Sequence, residues 1–151
     1  MINSGFQKGV DYMEIRPYLI FNGECQEAID LYKEAFQTDV SSIMRFSDMP
    51  QDNPMEIPDN KRDWIVMATI PFGNNFIRLS DTIGELNDAF TQRIGIIVEC
   101  RVDEVKHAFP ILAEEGEIGI PLQETFFSPC HGLVYDKFGV MWNFVGIVDD
   151  E

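Results

Sequence analysis

Hydrophobic and polar positions along this chain form two kinds of pattern, one typical of α-helices and one typical of β-strands. Across residues 24–36 the apolar side chains return every three or four positions, which is the spacing of one face of an α-helix, and residues 105–113 repeat that spacing. Runs rich in β-branched and aromatic residues lie around these two stretches and predict strands. The predicted strands are residues 14–21, 40–46, 64–70, 76–79, 93–100, 118–125, 133–135 and 140–144.

The second predicted helix contains two residues that affect its ends. Asp103 precedes the apolar stripe and is predicted to cap the N-terminus through its carboxylate. Pro110 lies within the stripe, where proline removes a backbone donor and clashes with the preceding turn, so we expect a kink or a late start of the helix. Gly116 is predicted to close it.

The last two predicted strands are joined by the turn sequence Asp-Lys-Phe-Gly at residues 136–139. An aspartate at the first turn position accepts hydrogen bonds from the following backbone, and a glycine at the fourth accepts the tight geometry. The Phe-Gly pair recurs at Phe72 and Gly73, again between two strands. Each half of the chain therefore predicts a strand, a helix and three strands, and the two halves are expected to pack against each other.

This repeat defines the expected domain organisation. The 151 residues, of which 45% are hydrophobic, suit one well-buried core, so we predict a single domain over 1–151. Its modules cover about residues 14–82 and about 93–148. Residues 1–13 are predicted to be a flexible lead, and residues 84–92 are predicted to connect the modules. The polar residues 47–63 contain three prolines and predict a loop, with a lid, an excursion or a dimer contact as its open alternatives.

Charge and cysteine content limit the classes of partner. The formal net charge of −15 gives a negative surface potential that repels phosphate backbones and anionic lipids, so we expect no nucleic-acid or membrane partner. No apolar run of about 18 residues and no signal-peptide pattern occurs, which predicts a cytoplasmic protein. The three cysteines show no CxxC spacing and are predicted to be reduced thiols.

Four stretches carry a resemblance to a known family. They are PYLIFNGECQEAIDLYKEAF at residues 17–36, IRLSD at 77–81, PLQETFF at 121–127 and VYDKFGVMWNF at 134–144. In this order they resemble the PhnB-like branch of the vicinal oxygen chelate superfamily, which includes glyoxalases, bleomycin-resistance proteins and dioxygenases. The resemblance implies an α+β fold in which two βαβββ modules form a curved mixed sheet around a pocket. It also implies a homodimer.

The resemblance allows the superfamily's metal ligands to be compared with this chain. Its metalloenzymes place His, Gln or Glu on facing strands, whereas this chain has Pro17, Met67 and Asn143 at the matching positions. Proline has no donor atom, and a thioether does not suit Mg²⁺, Mn²⁺, Zn²⁺ or Ni²⁺. We therefore expect no metal cofactor. The alternative is an unknown divalent metal at a nonstandard site, with donors drawn from Glu99, Glu124, Cys130 and His131.

Seven side chains are candidates for a functional site. Arg78 lies between Ile77 and Leu79, so strand alternation places it on the opposite face, toward either a bound anionic group or water. Glu124 is the candidate general base because aromatic surroundings raise the pKa of a carboxyl group. The predicted ligand-binding residues are Tyr18, Met67, Arg78, Phe127, His131 and Trp142.

Two functions follow from these observations. The first is a metal-independent protein that binds a small molecule of unknown identity, with the aromatic side chains stacking on the ligand. The second is a metal-dependent lyase, isomerase or dioxygenase-like enzyme with a nonstandard site. Similar sequences are described as 3-demethylubiquinone methyltransferases, but no glycine-rich strand-to-helix turn of the kind that holds S-adenosylmethionine occurs here.

Overall fold

The computed structural model describes residues 14–50, 52, 55–86 and 94–148. The predicted lead at residues 1–13 and most of the predicted connector at residues 84–92 lie outside this part of the chain. Within it, both halves have the predicted order of a strand, a helix and three strands. The α+β prediction is confirmed.

The two modules have the same sequence of elements. The first module contains β1 (Tyr18–Phe21), α1 (Cys25–Phe36), β2 (Ser42–Arg45), β3 (Ile65–Phe72) and β4 (Asn75–Asp81). The second contains β5 (Ile96–Arg101), α2 (Val102–Ala113), β6 (Glu117–Gln123), β7 (His131–Tyr135) and β8 (Met141–Ile147). Among the described residues, no helix has the length and hydropathy needed to cross a membrane.

Each module forms its own four-stranded mixed sheet. The strand orders are β1-β4-β3-β2 and β5-β8-β7-β6. In each sheet the strand before the helix pairs in parallel with the last strand of its module, and the other pairs are antiparallel. The helix is thus the crossover between two parallel neighbours, as parallel pairing requires. The strands β1 and β5 are consequently edge strands.

The second helix differs from its prediction at its N-terminus, whereas the kink at Pro110 stays a prediction. It begins at Val102 with Arg101 as its N-cap, and Asp103 lies in the first turn, so the predicted cap is wrong. The backbone N–H of Arg101 instead donates a hydrogen bond of 3.0 Å to the Glu104 carboxylate. The helix also includes Pro110, so a late start is wrong. Proline is tolerated there because a buried stripe of Val105, Ala108, Phe109 and Leu112 anchors the helix on both sides of it.

One hydrophobic core joins the modules. The helices α1 and α2 pack against each other, and each also contacts its own sheet. Across the boundary, the ring of Tyr32 on α1 meets Trp142 on β8 edge to face at a centroid distance of 5.2 Å. Phe36, at the end of α1, stacks on Phe144 at 6.1 Å. Because aromatic rings of one module fill the core of the other, neither sheet buries its inner face alone.

A buried aspartate fixes the last hairpin to the other module. Asp136 begins the predicted turn, and its Oδ1 accepts hydrogen bonds from the backbone N–H groups of Phe138 at 2.9 Å and Val140 at 3.0 Å. Its Oδ2 accepts the Tyr32 hydroxyl at 2.6 Å and the Trp142 indole N–H at 2.9 Å. Burial, followed by the charge of Asp136, raises the pKa of Tyr32 well above its ordinary value, so this hydroxyl stays a donor.

A second buried aspartate organises the first module. The Oδ1 of Asp81 accepts the backbone N–H groups of Gly23 at 2.7 Å and Cys25 at 3.1 Å, where α1 begins. Its Oδ2 accepts the N–H of Ile65 at 3.0 Å, where β3 begins. A carboxylate at a helix N-terminus is favoured by the helix dipole and by its unpaired amides. Asp81 therefore joins the end of β4 to the starts of α1 and β3.

Candidate functional site

The surface of the first sheet that faces away from the helices contains three of the predicted ligand-binding residues. Ile77 and Leu79 are buried toward α1, and the intervening Arg78 is exposed on the opposite surface, as alternation predicts. Arg78 pairs with Tyr18 of β1 on one side and with Thr69 of β3 on the other. We call this surface the first face; its residues are Tyr18, Ile20, Met44, Met67, Thr69, Arg78 and Ser80.

The first face combines polar groups with exposed apolar side chains. The hydroxyls of Tyr18 and Ser80 are joined by a hydrogen bond of 2.7 Å. Met67 lies in register with Met44 on the neighbouring strand. Tyr18, Ile20 and Met44 leave about half of their surface accessible. A central guanidinium surrounded by hydroxyl groups and apolar side chains suits a ligand that has both an anionic group and an apolar part.

Arg78 has no acidic partner within the described part of the chain, although the sequence contains 26 acidic residues. Its guanidinium lies 5.2 Å from the centroid of the Phe76 ring. Arg16 lies over the same ring at 3.9 Å and is also paired with Glu14. Phe76 therefore lies next to two guanidinium groups, and of these two only the Arg78 charge is not offset by a carboxylate of a described residue.

The corresponding surface of the second sheet holds two further predicted residues. His131 of β7 is only 9% exposed, and its Nε2 lies 2.9 Å from Asn143 Oδ1 on β8. Because that oxygen only accepts hydrogen bonds, Nε2 is the protonated nitrogen. The Phe127 ring meets the His131 ring edge to face at 5.0 Å. We call this surface the second face; its residues are Ile97, Glu99, Phe127, His131, Leu133, Asn143 and Val145.

The remaining two predicted site residues lie apart from both faces. Trp142 is 1% exposed and belongs to the core, where its indole is bonded to Asp136. Glu124 is exposed directly after β6, and no hydrogen bond or ion pair joins it to another described residue. The structure thus brings Tyr18, Met67 and Arg78 together, and it separately brings Phe127 and His131 together.

The donor groups on these faces do not fit a divalent metal. In the described part of the chain, no three His, Cys, Asp or Glu side chains are grouped closely enough to hold an ion. Glu99 and His131 lie in one row of the second sheet, but Val145 separates them, so their strands are roughly 10 Å apart. Metal ligands lie about 2 Å from a shared ion. At the matching positions Met67 offers a thioether, and Asn143 is already bonded to His131.

A cleft of about 590 Å³ lies between the modules. The half-buried rings of Phe36 and Phe72 form its aromatic wall, and the buried rings of Trp142 and Phe144 lie at its base. Its opposite wall is residues 96–100 of the edge strand β5, including Cys100. Burial, followed by the nearby Glu104, raises the pKa of the Cys100 thiol to about 11, so this thiol is protonated at neutral pH.

Sequence reasoning missed both this cleft and the role of Phe76 beside Arg78. A strand pattern does reveal Phe76, because residues two positions apart share a face. The cleft has no such pattern, since its walls come from α1, from both sheets and from residues that precede β1.

Two mixed sheets built from βαβββ modules, with one face of each sheet left open, define the vicinal oxygen chelate fold. Two solved structures support this assignment. Protein PA1353 from Pseudomonas aeruginosa is 29% identical and superposes with a TM-score of 0.75, covering 91% of this chain and 100% of that chain. A PhnB protein from Bacillus cereus is 27% identical with a TM-score of 0.72, covering 89% of this chain and 100% of that chain.

Sequence comparison identifies the branch of the superfamily. The 3-demethylubiquinone-9 3-methyltransferase family matches residues 13–145. Protein YjdN from Escherichia coli (strain K12) is 31% identical over 139 residues, which are 86% of this chain and 92% of YjdN. The chain therefore belongs to the 3-demethylubiquinone-9 3-methyltransferase family, whose members include PhnB-like proteins.

Proposed function

We propose that the protein binds a small molecule with an anionic group on the first face, without a metal ion, and that it does so as a homodimer. The observation that carries this proposal is the exposed Arg78 guanidinium, which has no acidic partner among the described residues of a strongly acidic chain. An arginine presents a planar fork of donors that matches a carboxylate or a phosphonate in two hydrogen bonds. The net charge of −15 repels anions in general, so an anion needs this local positive charge.

The surroundings of Arg78 supply the rest of the site. The half-exposed Tyr18 hydroxyl lies beside the guanidinium in the same sheet, where it is held by a hydrogen bond to the buried Ser80 and offers a polar contact to a ligand. Ile20, Met44 and Met67 provide apolar contact for the body of the ligand. These groups come from all four strands of the first sheet, so their relative positions are fixed by the ladder rather than by a loop.

Binding of benzoate should depend on Arg78. We expect Arg78→Ala to weaken benzoate binding by about tenfold, because a hydrogen-bonded charge is worth roughly 1.5 kcal/mol on a partly solvated surface. Affinity is measured by NMR titration at low ionic strength, with benzamide as the neutral ligand of the same shape. Benzamide should bind the two proteins equally.

The matched control is Arg62→Ala, which removes the same charge from an exposed arginine paired with Asp59. It should leave benzoate binding unchanged. Equal benzoate affinities for the wild type and Arg78→Ala would show that the first face is not the anion site.

The homodimer is supported by the apolar side chains that both faces expose. Ile20 on the first face is 46% exposed, and Ile97 on the second face is 61% exposed. Sheet faces of this composition are commonly covered by another surface. We expect Ile20→Lys to shift the protein from dimer to monomer in sedimentation velocity, because it introduces a charge into the covered face.

Leu86→Lys is the control for this substitution, because Leu86 is 43% exposed and lies outside the strands. It should leave the dimer intact. A wild-type protein that sediments as a monomer throughout a roughly hundredfold concentration range would rule out the dimer.

Two other functions, a metal-dependent enzyme and a methyltransferase, have requirements that differ from those of metal-free binding. A metal-dependent lyase, isomerase or dioxygenase-like enzyme requires a bound metal ion. Stoichiometric Zn, Ni, Mn or Fe, found by metal analysis of protein purified without chelator, would contradict metal-free binding. Methyl transfer, which the family description names, requires a site for the methyl donor. At the turn between β1 and α1 the Trp64 ring fills the space beside Gly23, where an added Cβ atom would lie 2.7 Å from it.

A further inference from the structure

Arg78 does not line the cleft between the modules, although Phe76 lies next to both, and the cleft has a different chemical character. On the first-module side it is lined by the end of α1 and by the hairpin of β3 and β4. On the second-module side, five consecutive residues of β5 line it, so the unpaired backbone edge of that strand borders the cleft. A volume of about 590 Å³ lies within the range of sites that bind small organic molecules.

The walls of the cleft are aromatic. Phe36 meets Phe72 edge to face at 5.0 Å and meets Trp142 at 5.1 Å, so the half-buried rings of Phe36 and Phe72 border the cleft and the buried Trp142 ring lies behind them. Phe76 also lines the cleft, and it already holds the Arg16 guanidinium over its ring at 3.9 Å. The faces of aromatic rings attract cations, and Arg16 provides an example within the cleft itself.

The charges around the cleft also favour a cation. Glu99 and Glu104 line it, and Glu99 has no hydrogen bond or ion pair to another described residue. The C-terminal end of α1, at Ala35 and Phe36, lies in the cleft and carries the negative end of the helix dipole.

Two basic residues near the cleft already have acidic partners. Arg16 is paired with Glu14. Arg101 contacts Asp103 at 3.1 Å and Glu104 at 4.0 Å. The net local charge is therefore negative on the side of β5.

We propose that this cleft is a second binding site, which takes an organic cation with a flat apolar body, such as an aromatic amine or amidine. The apolar body lies against the half-buried rings of Phe36 and Phe72. The cationic group lies near Glu104 and near Glu99, which borders the cleft at the open edge of β5. The neutral Cys100 thiol adds an apolar contact on the same wall. None of the residues that define the first face lines this site.

Benzamidine tests the proposal because it has the shape of benzoate and benzamide with a positive charge. The two tryptophans of the chain give two indole N–H signals in ¹H–¹⁵N NMR spectra, and Trp64→Phe assigns them. We expect benzamidine to shift the Trp142 signal and leave the Trp64 signal in place. Benzamide should bind at least about threefold more weakly, since it lacks the cation–π and charge contributions.

Substitution of the acidic wall should weaken benzamidine binding. We expect the double variant Glu99→Gln and Glu104→Gln to bind benzamidine about tenfold more weakly. Glutamine at 104 still accepts the Arg101 N–H, so the start of α2 is kept. The control pair, Asp59→Asn and Glu117→Gln, removes the same charge at exposed positions outside the cleft and should not change the affinity.

The outcomes separate this site from the first face. Arg78→Ala should not weaken benzamidine binding, because it removes a positive charge next to Phe76, so the cation site stands even if benzoate does not bind. Equal affinity for benzamide and benzamidine, or an unchanged benzamidine affinity in the acidic-wall variant, would overturn the proposal. Absence of any shift at Trp142 would also overturn it.

Discussion

Replacement of Asp136 by alanine is expected to lower the free energy of unfolding by about 3–5 kcal/mol, which is the cost of removing one partner from a buried charged network. The substitution leaves four donors without their acceptor: the Tyr32 hydroxyl, the Trp142 indole N–H and two backbone N–H groups in the turn. A typical domain has only about 5–15 kcal/mol in total, so the loss is a large fraction. Urea unfolding followed by tryptophan fluorescence measures it.

Two further variants show whether the network causes the loss. Tyr32→Phe removes one donor together with its own need for an acceptor, so it should cost only about 1–2 kcal/mol. Asp30→Ala, at an exposed position on α1, should change stability by less than about 0.5 kcal/mol. A cost below about 1 kcal/mol for Asp136→Ala would mean that water replaces the carboxylate without penalty.

Replacement of Asp81 by alanine is expected to cost about 3 kcal/mol, since three backbone N–H groups lose their acceptor. The loss should be local as well as global, because these amides lie where α1 and β3 begin. Amide hydrogen exchange should become faster at Gly23, Cys25 and Ile65 than the change in global stability requires.

Asp59→Ala is the matched control for Asp81. Its side chain is 99% exposed and forms a surface pair with Arg62, so its loss should leave both stability and exchange nearly unchanged. Unchanged protection of Cys25 and Ile65 in Asp81→Ala would show that the carboxylate is not what holds these two elements together.

The two aspartates connect the fold to the proposed sites. Asp81 fixes β4 relative to β3, and these two strands carry Arg78 and Met67 of the first face. Asp136 fixes Trp142, which lies at the base of the cleft. Neither aspartate is available to contact a ligand directly, since both side chains are buried. They hold in place the elements that do.

Local sequence patterns predicted the helices and strands well where one side of the element is buried against the core and the other side is exposed. The stripe of α1 predicted its buried residues, and alternation placed Arg78 opposite Ile77 and Leu79. The turn that begins at Asp136 was predicted from its side-chain chemistry, and Gly139 has the positive φ of 86° that suits glycine. These features depend on neighbours within a few positions, so the sequence contains the information needed to predict them.

Predictions were wrong where contacts from elsewhere decide the outcome. The α2 helix starts at Val102 because β5 leads directly into it. The carboxylate of Glu104, rather than that of Asp103, accepts the hydrogen bond from the backbone N–H of Arg101. Pro110 remains inside the helix because the residues on both sides of it are buried against the sheet. A local penalty of about 3 kcal/mol for proline is offset there by tertiary packing.

The sequence by itself determined the order of elements, the repeat of two modules, the surface on which Arg78 lies and the unsuitability of Met67 as a ligand for a hard metal ion. Only the tertiary structure decided that Trp142 belongs to the core, that Phe127 lies against His131 and that residues of both modules line a cleft. The physical reason is the range of the interactions. Periodicity and turn chemistry act over a few residues, whereas a cleft is formed by packing between elements that are far apart in the chain.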